Sequence, residues 1–255
     1  MITFYYADKN LNNFLKWANI FEKLNLKTLY LIRNKTLFCK LIEKNLNIIY
    51  AKSPQDVEDI VNKKNLSTIF FSTHSSKNIH ILRFNNLKHI YIGNKSNEFI
   101  KYNKSFRAYD EIWVPNEASI DYIYKTFEKR HLIIKNIGTI IENHNISILE
   151  NIRTFNSLNL IKFKLDKNII ISYKDYLIVH RKNFSPKLFS TNKKIVIYNP
   201  NNISLYSTKF IKQIQSLNEI KSLNFNINTI QAKEYYLGNF KLNNFKKEVL
   251  DVLSI

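Results

Sequence analysis

Six histidines, twenty acidic side chains and a single cysteine are the groups from which this 255-residue chain can build chemistry. His74 stands in the run Ser72-Thr73-His74-Ser75-Ser76, directly after the apolar stretch at 67–72. An imidazole placed there can serve as a general base or hold a phosphate; the same letters also describe a loop histidine bonded to neighbouring hydroxyls. Gly93, Asn94, Lys95 and Ser96 form a polar turn after another apolar stretch. Backbone donors and an ammonium suit a phosphate there, and a plain surface turn fits equally. Glu117, two residues past Pro115, is either a cleft carboxylate or a first-turn acid facing the helix dipole. Arg83, one of six arginines, is a candidate partner for a phosphate or an acidic side chain. No two histidines or acids carry the spacing of metal ligands on one helix, so neither a metal nor another cofactor is expected. A G-x-S-x-G elbow is absent, and three glycines (Gly93, Gly138, Gly238) cannot build a dinucleotide fingerprint or a P-loop.

The elements that must position these groups follow from periodicity. ITFYY at 2–6 reads as a strand, and Leu11 to Leu24 places Phe14, Leu15, Ala18 and Phe21 near helical spacing. The pattern recurs with strands at 27–33, 47–50, 67–72, 88–93, 111–114 and 131–138. Ser53 is a plausible N-cap with Pro54 in the first turn after it, and ASIDYIYKTFEK at 118–129 reads as another helix. Alternating strands and helices imply right-handed crossovers and a parallel sheet covered on both faces. Residues 1–148 are therefore expected to form a Rossmann-like doubly wound domain that binds ligands beyond the carboxyl ends of its strands. Residues 149–255 read as a shortened second α/β region. It holds an alternating hairpin at 161–182, a strand at 193–200, a helix at 205–223 and a closing helix at 245–253.

Thirty-nine Lys plus Arg against twenty Asp plus Glu leave a formal charge of +19, which points to an anionic partner. Only six of the thirty-nine are Arg, while 36 residues are Asn. That is also the mark of AT-rich coding, so lysine drift and a selected basic surface both fit. Readers of base edges favour the planar guanidinium fork, and its scarcity argues against nucleic acid as the partner. Cys39 is the lone cysteine, which suits a reducing compartment. The opening MITFYYADKN lacks the apolar core of a signal peptide, so a cytoplasmic protein is expected.

Residues 77–122, with KNIHILRF, KHIYIGNKSNE and YNKSFRAYDEIWVPNEASIDYI, resemble the middle of the CDP-glycerol glycerophosphotransferase family, enzymes similar to two-domain GT-B glycosyltransferases. Lys77, Asn78, Arg83, Phe84, His89, Ala108, Tyr109, Asp110, Val114 and Ala118 stand where that pattern wants them, and Ser96 does so with a one-residue gap. Where the family places the His-Gly of its catalytic base, this chain reads Gly93-Asn94-Lys95. Asn cannot accept a proton near neutral pH, so base work would fall to another group such as His74 or Glu117. EIWVPNEAS also resembles a strand-to-helix junction of GT-B glycosyltransferases.

The resemblance implies a GT-B-like α/β fold and transfer of a glycosyl or glycerophosphoryl group. The donor would be a nucleotide-activated sugar or CDP-glycerol, and the acceptor a surface polysaccharide or lipid-linked molecule, as in capsule or teichoic-acid-like synthesis. Arg83 and Gly93 to Ser96 would bind substrate, and an anionic membrane surface at the inner face would be a further partner. Two other readings stay open: a GT-B-like binding or assembly partner without catalysis, and a nucleic-acid-binding protein held by charge alone.

Overall fold

The computed structural model describes residues 1–93, 104–126, 132–138, 152–154, 170–173, 175–181, 184, 186–191, 193–201, 209–216, 219, 226–238 and 240–253. The first half runs β1 (Ile2–Tyr6), α1 (Leu11–Lys23), β2 (Thr28–Ile32), α2 (Lys35–Leu41), β3 (Ile48–Tyr50), α3 (Pro54–Lys64), β4 (Thr68–Phe71), α4 (Ile79–Leu82), β5 (Lys88–Tyr91), β6 (Glu111–Val114), α5 (Glu117–Thr126) and β7 (Ile133–Asn136). The expected doubly wound sheet is present, seven strands in the order β3-β2-β1-β4-β5-β6-β7, all pairs parallel. The order reverses between β1 and β4, where consecutive crossovers turn to opposite sides.

The apolar runs are continuous because both faces are covered. Phe4, Phe70, Ile90 and Trp113 enter one core with α1, while Tyr5, Phe71, Tyr91 and Ile112 enter a second core on the other face. Local signals fix where the helices begin. The Asn10 side chain accepts the N–H of Asn13 at the head of α1. Ser53 and Asp56 close a capping box with Pro54 in the first turn of α3, satisfying N–H groups that a helix start otherwise leaves bare.

A second sheet runs β12-β11-β10-β9-β8, from β8 (Ile152–Thr154), β9 (Ile170–Tyr173), β10 (Tyr176–His180), β11 (Lys194–Tyr198) and β12 (Ile211–Ile214). The expected hairpin is the antiparallel β9–β10 pair; the described residues of the expected helix at 205–223 differ from it. Ile211 to Ile214 pairs in parallel with β11, and Phe210 before it turns through φ 62°, which a continuing helix does not permit. Apolar residues three apart fit one helical face, but the unpaired edge of β11 supplies hydrogen bonds that override the pattern. α6 (Thr229–Leu237) packs Ala232, Tyr235 and Tyr236 on β10 and β11. α7 (Leu242–Leu253) leaves this second sheet and buries Phe245, Val249 and Val252 in the core of the first. The 148/149 boundary lies outside the described residues. No described helix is long and apolar enough to cross a membrane.

Candidate functional site

β6 ends at Val114, and Pro115-Asn116 turns the chain into α5. Asn116 is fully buried. Its Oδ1 accepts the Ser119 N–H at 2.9 Å and the Ser119 hydroxyl at 2.8 Å, while its Nδ2 donates to the Tyr236 carbonyl at 2.6 Å. One amide thus orders the first turn of α5 and fastens α6 to it. Glu117 follows with its side chain exposed. At the end of β7 the Asn136 Nδ2 donates to Glu117 Oε1 at 2.7 Å, and Asn136 Oδ1 accepts the Gly138 N–H at 3.0 Å. Gly138 takes φ 82°, a turn that favours glycine.

Glu117, Asn136, Ile137 and Gly138 form one wall of an open cleft of about 900 Å³ at the carboxyl edge of the first sheet. The opposite wall comes from Phe210, from Gln231, Glu234 and Tyr235 of α6, and from the head of α7. Lys209 Nζ stands 4.7 Å from the Tyr235 ring centre and 5.5 Å from that of Phe210, and the Tyr235 hydroxyl donates to Asp121 of α5. Carboxylates, amides and ammonium groups beside aromatic faces can hydrogen-bond a polyhydroxylated ligand and meet the charge of a phosphate. Among the described residues no group of three or more His, Cys, Asp or Glu could hold a metal ion.

His74 lies elsewhere on the same edge, past the end of β4. Its ring stacks on Tyr91 at 4.3 Å and 14° and meets Phe106 at 5.2 Å, and Nδ1 is 3.0 Å from the Ser105 hydroxyl. One edge stays exposed, yet burial of the ring face pushes its pKa down to about 4, so the imidazole is neutral at pH 7. The cleft lining that holds Glu117 does not include His74. Arg83 is exposed, pairs with Glu58 of α3 at 2.6 Å and lies 4.9 Å from the Phe84 ring. Gly93 is buried at φ 69°, and its carbonyl accepts the Trp17 indole N–H at 3.0 Å. Asn94, Lys95 and Ser96 lie outside the described residues. His89 is buried, its Nε2 3.2 Å from the Ile81 carbonyl, and Asp110 Oδ2 accepts the His89 backbone N–H at 2.7 Å; this pair fixes α4 and the turn before β6.

Asn136, Lys209 and Glu234 were not singled out by the sequence. The signal that could have found Asn136 is its place two residues before Gly138, at the carboxyl end of a parallel strand, where such sheets hold their ligands.

No family model matches the chain, and no curated protein matches it in sequence. Its structure is similar to that of Acinetobacter baumannii MurG, with a TM-score of 0.52 at 10% identity over 99% of each chain. The fold is GT-B. A glycosyltransferase from Rickettsia africae also matches, with a TM-score of 0.49 at 10% identity over 98% of this chain and 97% of that one. The likeness of residues 77–122 to the CDP-glycerol family extends, in structure, to this GT-B fold and not to that family in particular.

Proposed function

We propose that the protein transfers a glycosyl group from a nucleotide-activated donor, and that the cleft beside Glu117 and Asn136 is where the reacting groups meet. The observation that carries this reading is the Glu117 carboxylate, held by Asn136 at 2.7 Å, standing in an open cleft at the carboxyl edge of a parallel sheet, where open α/β sheets take their ligands. The acceptor hydroxyl gives its proton to Glu117 as its oxygen bonds to the sugar C1. The C1–O bond to the nucleotide phosphate breaks, and the phosphate leaves with the electron pair toward Lys209 and toward Lys247 of α7, both of which line the cleft. With CDP-glycerol as donor the same roles surround a phosphorus atom.

In this reading residues 1–148 are the acceptor side and 149–255 a shortened second region. The acceptor is a surface polysaccharide or a lipid-linked start, as in capsule or teichoic-acid-like synthesis. Arg83, paired with Glu58, and Lys95 are the cations this reading assigns to its phosphate, with Gly93, Asn94 and Ser96 as further binding residues. A cytoplasmic enzyme of net charge +19 would rest against anionic lipid, each nearby Lys adding about 1 kcal/mol. His74 is a second candidate base. The non-catalytic alternative draws support from the separation of His74 from the Glu117 cleft and from Asn94 at the family's base position.

The test is turnover with a panel of UDP- and CDP-linked donors, alongside Glu117→Gln and His74→Ala. A general base is worth roughly a hundredfold to ten-thousandfold in rate. Glu117→Gln is expected to lose at least about a hundredfold with an unchanged melting temperature, and an equal loss in His74→Ala alone would move the base role to His74. Absence of turnover and of thermal stabilisation with every donor would overturn the reading in favour of a binding partner.

A further inference from the structure

Arg33 follows β2 at the carboxyl edge and is 3% exposed. A buried guanidinium usually finds a carboxylate. This one finds none within hydrogen-bond distance. Nη1 donates to the Ser53 carbonyl at 2.7 Å, and Nη2 to the Lys52 carbonyl at 3.5 Å and to His80 Nδ1 at 2.9 Å, while Nε has no partner. A guanidinium only donates, so Nδ1 of His80 must be the acceptor and the imidazole must be neutral, with its proton on Nε2. The contact therefore tolerates one protonation state. On protonation Nδ1 becomes a donor facing a donor, and a cation facing a cation.

The surroundings sharpen this. Lys77 on the same segment, Arg83 directly after it and Arg33 after β2 all bring positive charge to His80. Its pKa lies below the ordinary 6.5, first through desolvation and then through those three cations. On α3, Glu58 is engaged by Arg83, and Asp56 is taken up by the N–H groups of Lys52 and Ser53 in the capping box. From β5, His89 reaches the Ile81 carbonyl and faces Asp110 at 3.8 Å. From β1, the Tyr5 hydroxyl donates to the Lys77 carbonyl at 2.6 Å, and the Tyr109 hydroxyl accepts from Asn78. None of these contacts gives a protonated His80 an anion of its own.

We propose that His80 is an acid-sensitive latch: neutral, it ties the segment Ser76–Leu82 to the buried Arg33, and protonated, it lets that segment, with Ile81 at the margin of the second core, open while the sheet stays paired. The segment follows directly on His74 and its ring stack, so the latch sets how firmly that stretch of the carboxyl edge is held. The remaining anchors, buried Ile81 and Asn78, the Tyr5 and His89 contacts to the Lys77 and Ile81 carbonyls and the Lys77 ammonium on the Arg33 carbonyl, make the response an increased frequency of local opening. Each unit by which His80 titrates lower in the closed than in the open segment makes opening about tenfold more frequent once it is protonated. The contribution is complete above pH 6.5, falls as pH drops below that value, and is lost below the folded-state pKa.

Hydrogen exchange of the full chain at pH 7.5 and 5.0, expressed as protection factors corrected for intrinsic exchange, tests this. Wild type is expected to lose about threefold to tenfold in protection across residues 76–84 between the two conditions, with β1, β4 and β5 unchanged. His80→Gln, whose amide oxygen accepts from Arg33 at both pH values, should change less than about twofold; His80→Asn is the second variant should the longer side chain misplace that oxygen. Undiminished protection in wild type would overturn the proposal. So would an equal loss in both variants, which assigns the response to His89, or a loss spread over the whole sheet.

Discussion

Replacing Phe245 by Ala tests how the two halves are joined. Phe245 is 1% exposed on α7 and lies within 5.7–6.0 Å of three rings of the first core, Trp17, Phe21 and Trp113, the last edge-on at 89°. Phe→Ala in a core costs about 3–5 kcal/mol. These three ring pairs and a fourth with Phe240 at 5.6 Å, each worth about 0.5–1.5 kcal/mol beyond area, place this site at the upper end of that range. For a chain of this size the melting temperature should fall by roughly 10–20 °C. The chain has two tryptophans, and both touch this ring, so urea unfolding followed by their emission reads the perturbation directly. Leu250→Ala on the same helix, at a position 42% exposed, serves as the control and should stay within about 0.5 kcal/mol. A loss below about 1 kcal/mol in Phe245→Ala, with unchanged emission, would refute the docking of α7 against the first sheet.

Two further outcomes are expected. Glu111 is buried between Lys88 at 2.8 Å and Lys135 at 3.4 Å; burial alone would raise its pKa, but Lys88, the Trp113 N–H and Lys135 together hold it below 4.5. The stability it contributes is present above pH 4.5 and falls away as pH drops through the folded value. Glu111→Gln should therefore cost about 3 kcal/mol at pH 7 and flatten the acid limb of the stability curve; a parallel curve would refute the pairing. If the lysine excess serves a membrane, sedimentation with anionic vesicles should fall steeply as salt rises through about 0.3 M, with no binding to neutral vesicles. Equal retention on both would remove the membrane from the reading.

The first sheet was legible because each of its signals is local. Unbroken apolar runs such as Ile69–Phe71, the Ser53-Pro54 start and the spacing of Phe14, Ala18 and Phe21 carry their own physics. β12 was not legible, since Ile211 and Ile214 satisfy a helical face as well as a strand, and the β11 edge that decides between them is distant in sequence. The site divided in the same way. Glu117 showed itself through the Pro115 junction, whereas Asn136 and Tyr235 reach the same cleft from 19 and 118 residues away along the chain. His74 looked available by its place after the strand at 67–72, but the rings that desolvate it, Tyr91 and Phe106, arrive with β5 and the turn that precedes β6.

The return of α7 to the first sheet has a bearing on how the protein is made. A ribosome delivers β1 to β7 first and then all of the second sheet before it delivers Phe245, Val249 and Val252. Throughout that interval the groove around Trp17, Phe21, Phe70 and Trp113 lacks its cover. Chains at this stage present aromatic surface of the kind that chaperones and proteases recognise. Closure of the earliest-made core therefore waits on the last described helix, and a nascent chain interrupted after α6 remains marked as unfinished although every described strand has been synthesised.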